Sequence, residues 1–152
     1  MVEVREDEAA VALPERVDAG VYFIGVIRTP WTSRADCPKQ GDPVNGPVCR
    51  IELDGRWAEA LTGIEPPCGL LALYYMHEAR RDLVLQRPRG ARASLGTFAL
   101  RSPVRPNPIA LAKVHVLARE GTTLHVRGLD CLDGTPLLDL KPERCPNAAP
   151  RP

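Results

Sequence analysis

The chain has 152 residues, a length that fits one domain rather than several domains. Its apolar fraction of 44% is enough for a hydrophobic core. Its formal net charge of +1 excludes a general attraction to polyanions, so any basic binding surface must be local. Sixteen prolines and twelve glycines favour short strands and tight turns over long helices. No apolar run has the length of a membrane-spanning helix, and we expect no membrane partner.

The beginning of the chain is acidic, with six carboxylates and two arginines in the first eighteen residues and a break at Pro14. This composition predicts a flexible arm over residues 1–18 and no secretory signal. The five cysteines are odd in number and form no C-x-x-C pair, which favours reduced thiols and a cytoplasmic location. Their spacing from one another and from the three histidines predicts no metal site.

Strand and loop patterns alternate after the arm. Residues 21–27 are β-branched and aromatic and predict a strand, whereas residues 28–47 form a long loop rich in proline and glycine. Residues 48–54 alternate as a strand, and residues 56–64 predict one or two helical turns. The first half of the chain therefore contributes two strands joined by a loop long enough to carry function.

The second half predicts more strands. Residues 69–77 are a continuous apolar run, which indicates a strand buried on both faces, and residues 94–102 predict another strand. Residues 109–118 and 122–130 predict a hairpin, and a last short strand follows a turn at Asp133-Gly134.

Six or more short strands without strand–helix alternation predict a mainly β fold. The expected form is a small antiparallel β-barrel, or a sandwich, with one or two short helical turns; closure of a barrel removes exposed strand edges. We expect this domain to span residues 19–145, followed by a flexible tail over residues 146–152.

Two loops stand out by their chemistry. Residues 101–110, RSPVRPNPIA, hold three prolines within six residues, so they predict a stiff cationic loop that is neither helix nor central strand. Its Asn107 either bonds its own backbone in a turn or faces a ligand. In LDGTP, residues 132–136, the Asp133 carboxylate either caps its own turn or binds a ligand group, and the residues alone favour the cap.

Arginine is concentrated between residues 80 and 105, where only Glu78 and Asp82 oppose it. Guanidinium groups bind phosphates bidentately, so this segment is either an RNA-binding surface or a solvated, flexible loop. The candidate RNA contacts are Arg80, Arg81, Arg87, Arg89, Arg92 and Arg105.

Common nucleotide and hydrolase signatures are missing from the sequence. There is no G-x-G-x-x-G after a strand, no phosphate-binding G-x-x-x-x-G-K-[ST] and no G-x-S-x-G. The remaining candidate site is a set of proline- and glycine-stiffened loops at strand ends, which is typical of a preorganised small-ligand site.

Four segments carry a resemblance to a known family: residues 23–31, 38–40, 96–111 and 129–142. With the pair RSPVRPNPI and LDGTPLLDLKP in the right order, the chain resembles the TsaA-like, or TrmO-like, family. The best-known member methylates N6 of threonylcarbamoyladenosine beside the tRNA anticodon, using S-adenosylmethionine. The resemblance implies a small β-barrel that works as a homodimer and uses S-adenosylmethionine with tRNA as partner.

The resemblance also assigns roles to residues. The catalytic candidates are Asp133, Arg101 and Asn107. The candidates for contact with the methyl donor are Pro38, Lys39, Gln40, His77, Glu78, Arg101, Leu111, Cys131, Leu132, Asp133 and Gly134. The side-chain chemistry agrees, because Arg101 can pair bidentately with a carboxylate and Asp133 can accept a proton.

The sequence departs from the family pattern at two places. Residues 68–71 read CGLL where the family has Ser-His-Leu-Trp, and Glu143 replaces the tyrosine of a KPY ending. The chain resembles a short, single-domain form. Three functions therefore stay open: a tRNA N6-methyltransferase, an S-adenosylmethionine-binding barrel that acts as a sensor or interaction module, and a small-molecule methyltransferase.

Overall fold

A computed structural model describes residues 3–144, and the chain within it divides into two compact units. The first, which we call the three-stranded unit, comprises Met1–Gly20 and Met76–Ala110. The second, the barrel unit, comprises Val21–Tyr75 and Leu111–Pro152. Each is described by itself.

The described residues form nine strands and two short 3-10 helices. The strands are β1 (Ala9–Ala10), β2 (Gly25–Arg28), β3 (Cys49–Leu53), β4 (Cys68–Tyr75), β5 (Leu83–Gln86), β6 (Leu95–Gly96), β7 (Ile109–Glu120), β8 (Thr123–Arg127) and β9 (Thr135–Pro142). The 3-10 helices are Gly55–Leu61 and Thr97–Ala99.

Six strands close into a barrel in the order β2-β3-β8-β7-β4-β9. Alternation within the strands produces its core: Cys49, Ile51 and Leu53 of β3 are buried while the residues between them are more exposed. On β8, Leu124 and Val126 are buried in the same way. The predicted mainly β fold, with a small antiparallel barrel and short helical turns, is confirmed.

The apolar run that forms β4 differs from its prediction. Leu70, Ala72 and Tyr74 are buried, but the residues between them are half-buried, so β4 has one fully buried face rather than two. A strand in a small barrel has an interior face and an exterior face, and only the interior is enclosed.

In the three-stranded unit the strand order is β1-β5-β6. The predicted strand over residues 94–102 is wrong beyond Gly96, because the chain turns into the 3-10 helix Thr97–Ala99. The buried Thr97 hydroxyl explains the turn: it accepts from Gln86 Nε2 at 2.7 Å and donates to Leu83 O at 2.8 Å. Strand β5 is also not predicted from the sequence, which places its residues in the arginine-rich loop.

Part of the predicted arm is paired. Ala9 and Ala10 are in register with Leu85 and Leu83 of β5, and Val11 N donates to Asp82 O at 2.8 Å. The division into arm, barrel and tail stays a prediction, and the proposed tail over residues 146–152 lies outside the described residues, as does Cys145.

Candidate functional site

The Cys131–Gly134 turn is tied to the chain that leaves β2. Backbone groups of one segment meet partners on the other, so the turn has little freedom to move independently of β2. Three hydrogen bonds of 2.8 Å make the connection: Thr29 Oγ1 to Cys131 O, Asp133 N to Trp31 O, and Gly134 N to Ile27 O.

The Asp133 carboxylate joins the same connection. Its Oδ1 accepts a hydrogen bond from Thr29 N at 3.1 Å, so it caps the segment after β2 rather than its own turn. Its Oδ2 lies 3.8 Å from Arg28 Nη1, which is too long for a hydrogen bond. The side chain is 36% exposed, so Oδ2 can still accept a hydrogen bond from a ligand.

A close backbone crossing fixes the loop that carries Pro38, Lys39 and Gln40. A Cβ atom added at Gly41 would lie 1.7 Å from Gly128 O, so only glycine permits the approach. Gly128 itself has a φ of +111°, where other residues are strained. This loop and the strand end that precedes the Cys131–Gly134 turn are therefore in direct contact.

Asp130 links the turn to the barrel core. The hydroxyl of Tyr74, a residue only 1% exposed, donates to Asp130 Oδ1. Burial raises the pKa of the Cys37 thiol, and the charges of Asp130 and Asp36 raise it further. The charge of Asp130 thus acts on the thiol of Cys37, the residue before the Pro38–Gln40 loop.

We expect Tyr74→Phe to destabilise the protein by about 1–3 kcal/mol, because it removes the hydroxyl that satisfies Asp130. Urea unfolding followed by circular dichroism measures this change. Tyr75→Phe is the matched control, since the ring of half-buried Tyr75 contacts Phe23 and would keep that contact. Equal stability of the two variants would contradict a structural role for the Tyr74–Asp130 hydrogen bond.

Cys131 belongs to the turn, but its thiol is not a reactive nucleophile. Its side chain is fully buried, and burial raises the pKa of its thiol to about 12, against the opposing effect of a hydrogen bond with Thr135. A thiol with this pKa is not a thiolate nucleophile near neutral pH. Cys131 can contribute through its backbone groups.

In the three-stranded unit, arginines hold the 101–108 loop in place. Arg81 donates through Nε to Pro106 O and through Nη2 to Asn107 Oδ1, the latter at 3.1 Å. Arg105 Nη1 donates to Leu100 O and Ser102 O at 3.1 and 3.2 Å. The predicted stiff loop is therefore held by guanidinium groups as well as by its prolines.

The other candidate RNA-binding arginines differ in their partners. Arg80 pairs bidentately with Asp82 at 2.7 and 2.8 Å, and Arg87 pairs with Asp7. Arg89 and Arg92 are exposed and have no ion pair within residues 3–144. These last two are the most available for an added anion.

The predicted donor-contact residues are distributed over both units. The barrel unit holds Pro38, Lys39, Gln40, Leu111, Cys131, Leu132, Asp133 and Gly134; the three-stranded unit holds His77, Glu78, Arg101 and, among the catalytic candidates, Asn107. Their assignment to a donor or to catalysis stays a prediction.

Sequence reasoning missed several residues that hold the predicted loops in place. They are Thr29, Trp31, Gly41, Tyr74, Gly128 and Asp130. The available signal was RTPW, residues 28–31, a polar and aromatic group directly after a strand.

Other kinds of site have little support in the described residues. No group of three or more histidine, cysteine or acidic side chains there could hold a metal ion. A shallow hollow of about 130 Å³ in the three-stranded unit is lined mainly by apolar residues, among them Leu83, Phe98 and Pro106. Within residues 3–144, no helix has the length and apolar character needed to cross a membrane.

The closed barrel and its stiffened loops match a known domain. Residues 26–144 match the tRNA-methyltransferase O N-terminal domain, and the chain belongs to that family. The resemblance seen in the sequence is therefore confirmed. The crystal structure of TrmO from Pseudomonas aeruginosa superposes with a TM-score of 0.66 at 32% identity, covering 89% of this chain and 60% of that one.

Two curated relatives differ in how they are described. The "probable S-adenosyl-L-methionine-binding protein VirR" of Rhizobium radiobacter is 52% identical over 93% of this chain and 80% of its own length. The tRNA (adenine(37)-N6)-methyltransferase of Escherichia coli is 33% identical over 78% of this chain, which spans 55% of that enzyme.

Proposed function

We propose that the protein binds S-adenosylmethionine and is a methyltransferase whose acceptor is N6 of threonylcarbamoyladenosine beside the tRNA anticodon. The observation that carries the proposal is the Cys131–Gly134 turn, held by three hydrogen bonds to β2 and the segment after it in a domain of this family. The S-adenosylmethionine-binding and methyltransferase names of the relatives support the cofactor and the reaction.

The groups present suit the cofactor. In the barrel unit, Asp133 Oδ2 can accept from a ribose hydroxyl, and backbone groups of residues 132–134 can meet the adenine edge. In the three-stranded unit, the Arg101 guanidinium can pair with the amino-acid carboxylate. Pro38, Lys39, Gln40, Leu111, His77 and Glu78 are the remaining proposed contacts. When bound, S-adenosylmethionine supplies a methyl group already activated by its sulfonium.

The chain's own contribution to the reaction is mainly placement. In-line alignment of an activated methyl group with its nucleophile supplies much of the rate, so rigid loops serve the chemistry. The N6 nitrogen must lose a proton, and we propose Asp133 as its acceptor. Since Oδ1 already accepts from Thr29 N, Oδ2 is the oxygen for this role. Asn107, held by Arg81, orients the incoming base.

A second candidate is an S-adenosylmethionine-binding barrel without tRNA activity. It is favoured by the name of the R. radiobacter relative, which describes binding and no transfer. It is also favoured by the change to CGLL at residues 68–71 and by Glu143. A small-molecule acceptor would combine cofactor binding with methyl transfer but without RNA. For the enzyme we further propose a cytoplasmic location. We also propose that it is a homodimer, and sedimentation can test this oligomeric state.

The proposal is tested by incubating the protein with labelled S-adenosylmethionine and tRNA from a strain that lacks its gene, followed by a nucleoside digest. We expect one labelled N6-methyl species, and its loss in Asp133→Ala. Asp36→Ala, an exposed aspartate bonded to Ser33, is the matched control and should keep activity. Cofactor binding by calorimetry without labelled nucleoside would favour the second candidate, and absence of binding would contradict both.

A further inference from the structure

The acidic N-terminal segment lies against the arginine-rich segment of the three-stranded unit. Pairing of β1 with β5 brings residues 7 and 8 next to this segment. There the Asp7 carboxylate pairs with Arg87 Nη1, and Ser94 Oγ donates to Asp7 O at 2.5 Å. Two independent contacts therefore hold Asp7 on residues that flank Arg89 and Arg92.

Glu8 makes a second connection to the same segment. Its side chain is only 5% exposed and accepts a hydrogen bond from Arg5. That hydrogen bond lowers the pKa of Glu8, and the charge of Arg80 lowers it as well. The pKa of Arg80 is raised, first by its hydrogen bond to Asp82 and also by the charge of Glu8. Glu8 is thus ion-paired to Arg5 within the acidic segment, and its negative charge also acts on Arg80.

The charges of the two segments nearly cancel. Residues 3–18 carry six acids and two arginines, a net charge of −4. Residues 76–110 carry seven arginines and two acids, a net charge of +5. The family match begins at residue 26, so the acidic segment lies outside the matched domain. The acidic segment thus neutralises the arginine-rich segment, which the sequence predicts as a candidate RNA-binding surface.

We propose that Asp7 and Glu8 act as an internal competitor for RNA: Asp7 occupies the guanidinium of Arg87, which a phosphate would otherwise contact, and Glu8 adds a negative charge near Arg80. RNA binding then requires Asp7 to leave Arg87 while β1 stays paired with β5. Exposed ion pairs are weak, so the competition lowers affinity without abolishing it, and it favours ligands that present several phosphates at once. This inference rests on the proposed tRNA acceptor.

The test compares variants that change charge without removing β1. Asp7→Asn with Glu8→Gln removes both contacting carboxylates. Glu3→Gln with Glu6→Gln changes the net charge equally, at exposed positions that make no ion pair within residues 3–144. Ser94→Ala removes the hydrogen bond to Asp7 O with no change in charge. Affinity for fluorescein-labelled tRNA from a strain that lacks the gene, which contains threonylcarbamoyladenosine, is measured by anisotropy at 100 and 500 mM KCl.

We expect the Asp7/Glu8 variant to bind the tRNA about 3- to 10-fold more tightly at 100 mM KCl, because the exposed Asp7–Arg87 ion pair and the charge of Glu8 no longer compete. The gain should shrink at 500 mM, where exposed charges are screened. Ser94→Ala should tighten binding about twofold, in line with a weakened arm contact. The Glu3/Glu6 control should change it less than twofold.

The experiment distinguishes failure of the internal competition from failure of the proposed tRNA acceptor. If wild type binds the tRNA and the Asp7/Glu8 variant binds no more tightly than the Glu3/Glu6 control, the internal competition is wrong and the proposed function stands. If no form binds the tRNA while calorimetry detects S-adenosylmethionine binding in the same samples, both the tRNA acceptor and the internal competition are wrong.

Discussion

Replacing Gly41 with alanine is expected to lower the melting temperature by roughly 10 °C. The added Cβ would lie 1.7 Å from Gly128 O and 2.4 Å from Gly128 C, both backbone atoms. A side chain could rotate away, but a backbone carbonyl can move only if the two chain segments separate. Overpacking in general costs about 1–3 kcal/mol, and a clash with backbone belongs at the upper end of that range.

Gly55→Ala is the control for this substitution. Gly55 lies in the same unit, and a Cβ added there meets nothing within 4 Å. We expect its melting temperature, followed by circular dichroism, to stay within about 2 °C of wild type. A Gly41→Ala protein that melts together with this control would contradict the backbone crossing, and with it the idea that the Pro38–Gln40 loop is fixed against residue 128.

The barrel could be predicted because burial imposes a period of two on its strands. Residues 48–54 and 122–130 show that period, and the structure has β3 and β8 at those places. The strand over residues 94–102 is predicted from local sequence alone. Its direction is decided instead by the Thr97 hydroxyl, whose partners Gln86 and Leu83 lie on another strand. A propensity rule contains no information about such partners.

The candidate site shows the same limit. The LDGTP motif identified Asp133 and a rigid turn, and short-range rules favoured a cap within that turn. The carboxylate instead accepts from Thr29 N, 104 positions away in the chain. Likewise, the partner of Tyr74 is 56 positions distant. Local sequence predicts which residues are stiff and polar, whereas tertiary contacts decide which groups they satisfy.

Arg101→Ala is expected to weaken S-adenosylmethionine binding by about 10- to 100-fold, the range typical of a lost hydrogen bond to a charged group. The proposed partner is the carboxylate of the donor's amino-acid end. Arg101 is exposed and lies at the start of the loop that Arg105 stabilises through Ser102 O. Arg101→Lys should lose less, because it retains the charge but not the bidentate geometry. Calorimetry measures all three proteins.

A truncated ligand separates this role from a general effect on the loop. 5′-Methylthioadenosine has the adenine, ribose and sulfur of the donor but no carboxylate, so Arg101→Ala should change its affinity less than about threefold. Arg89→Ala, at an exposed arginine in the same unit, should leave the affinity for both ligands unchanged. An equal loss for the two ligands would mean that Arg101 supports the loop and does not bind the carboxylate. A loss for neither would remove Arg101 from the site.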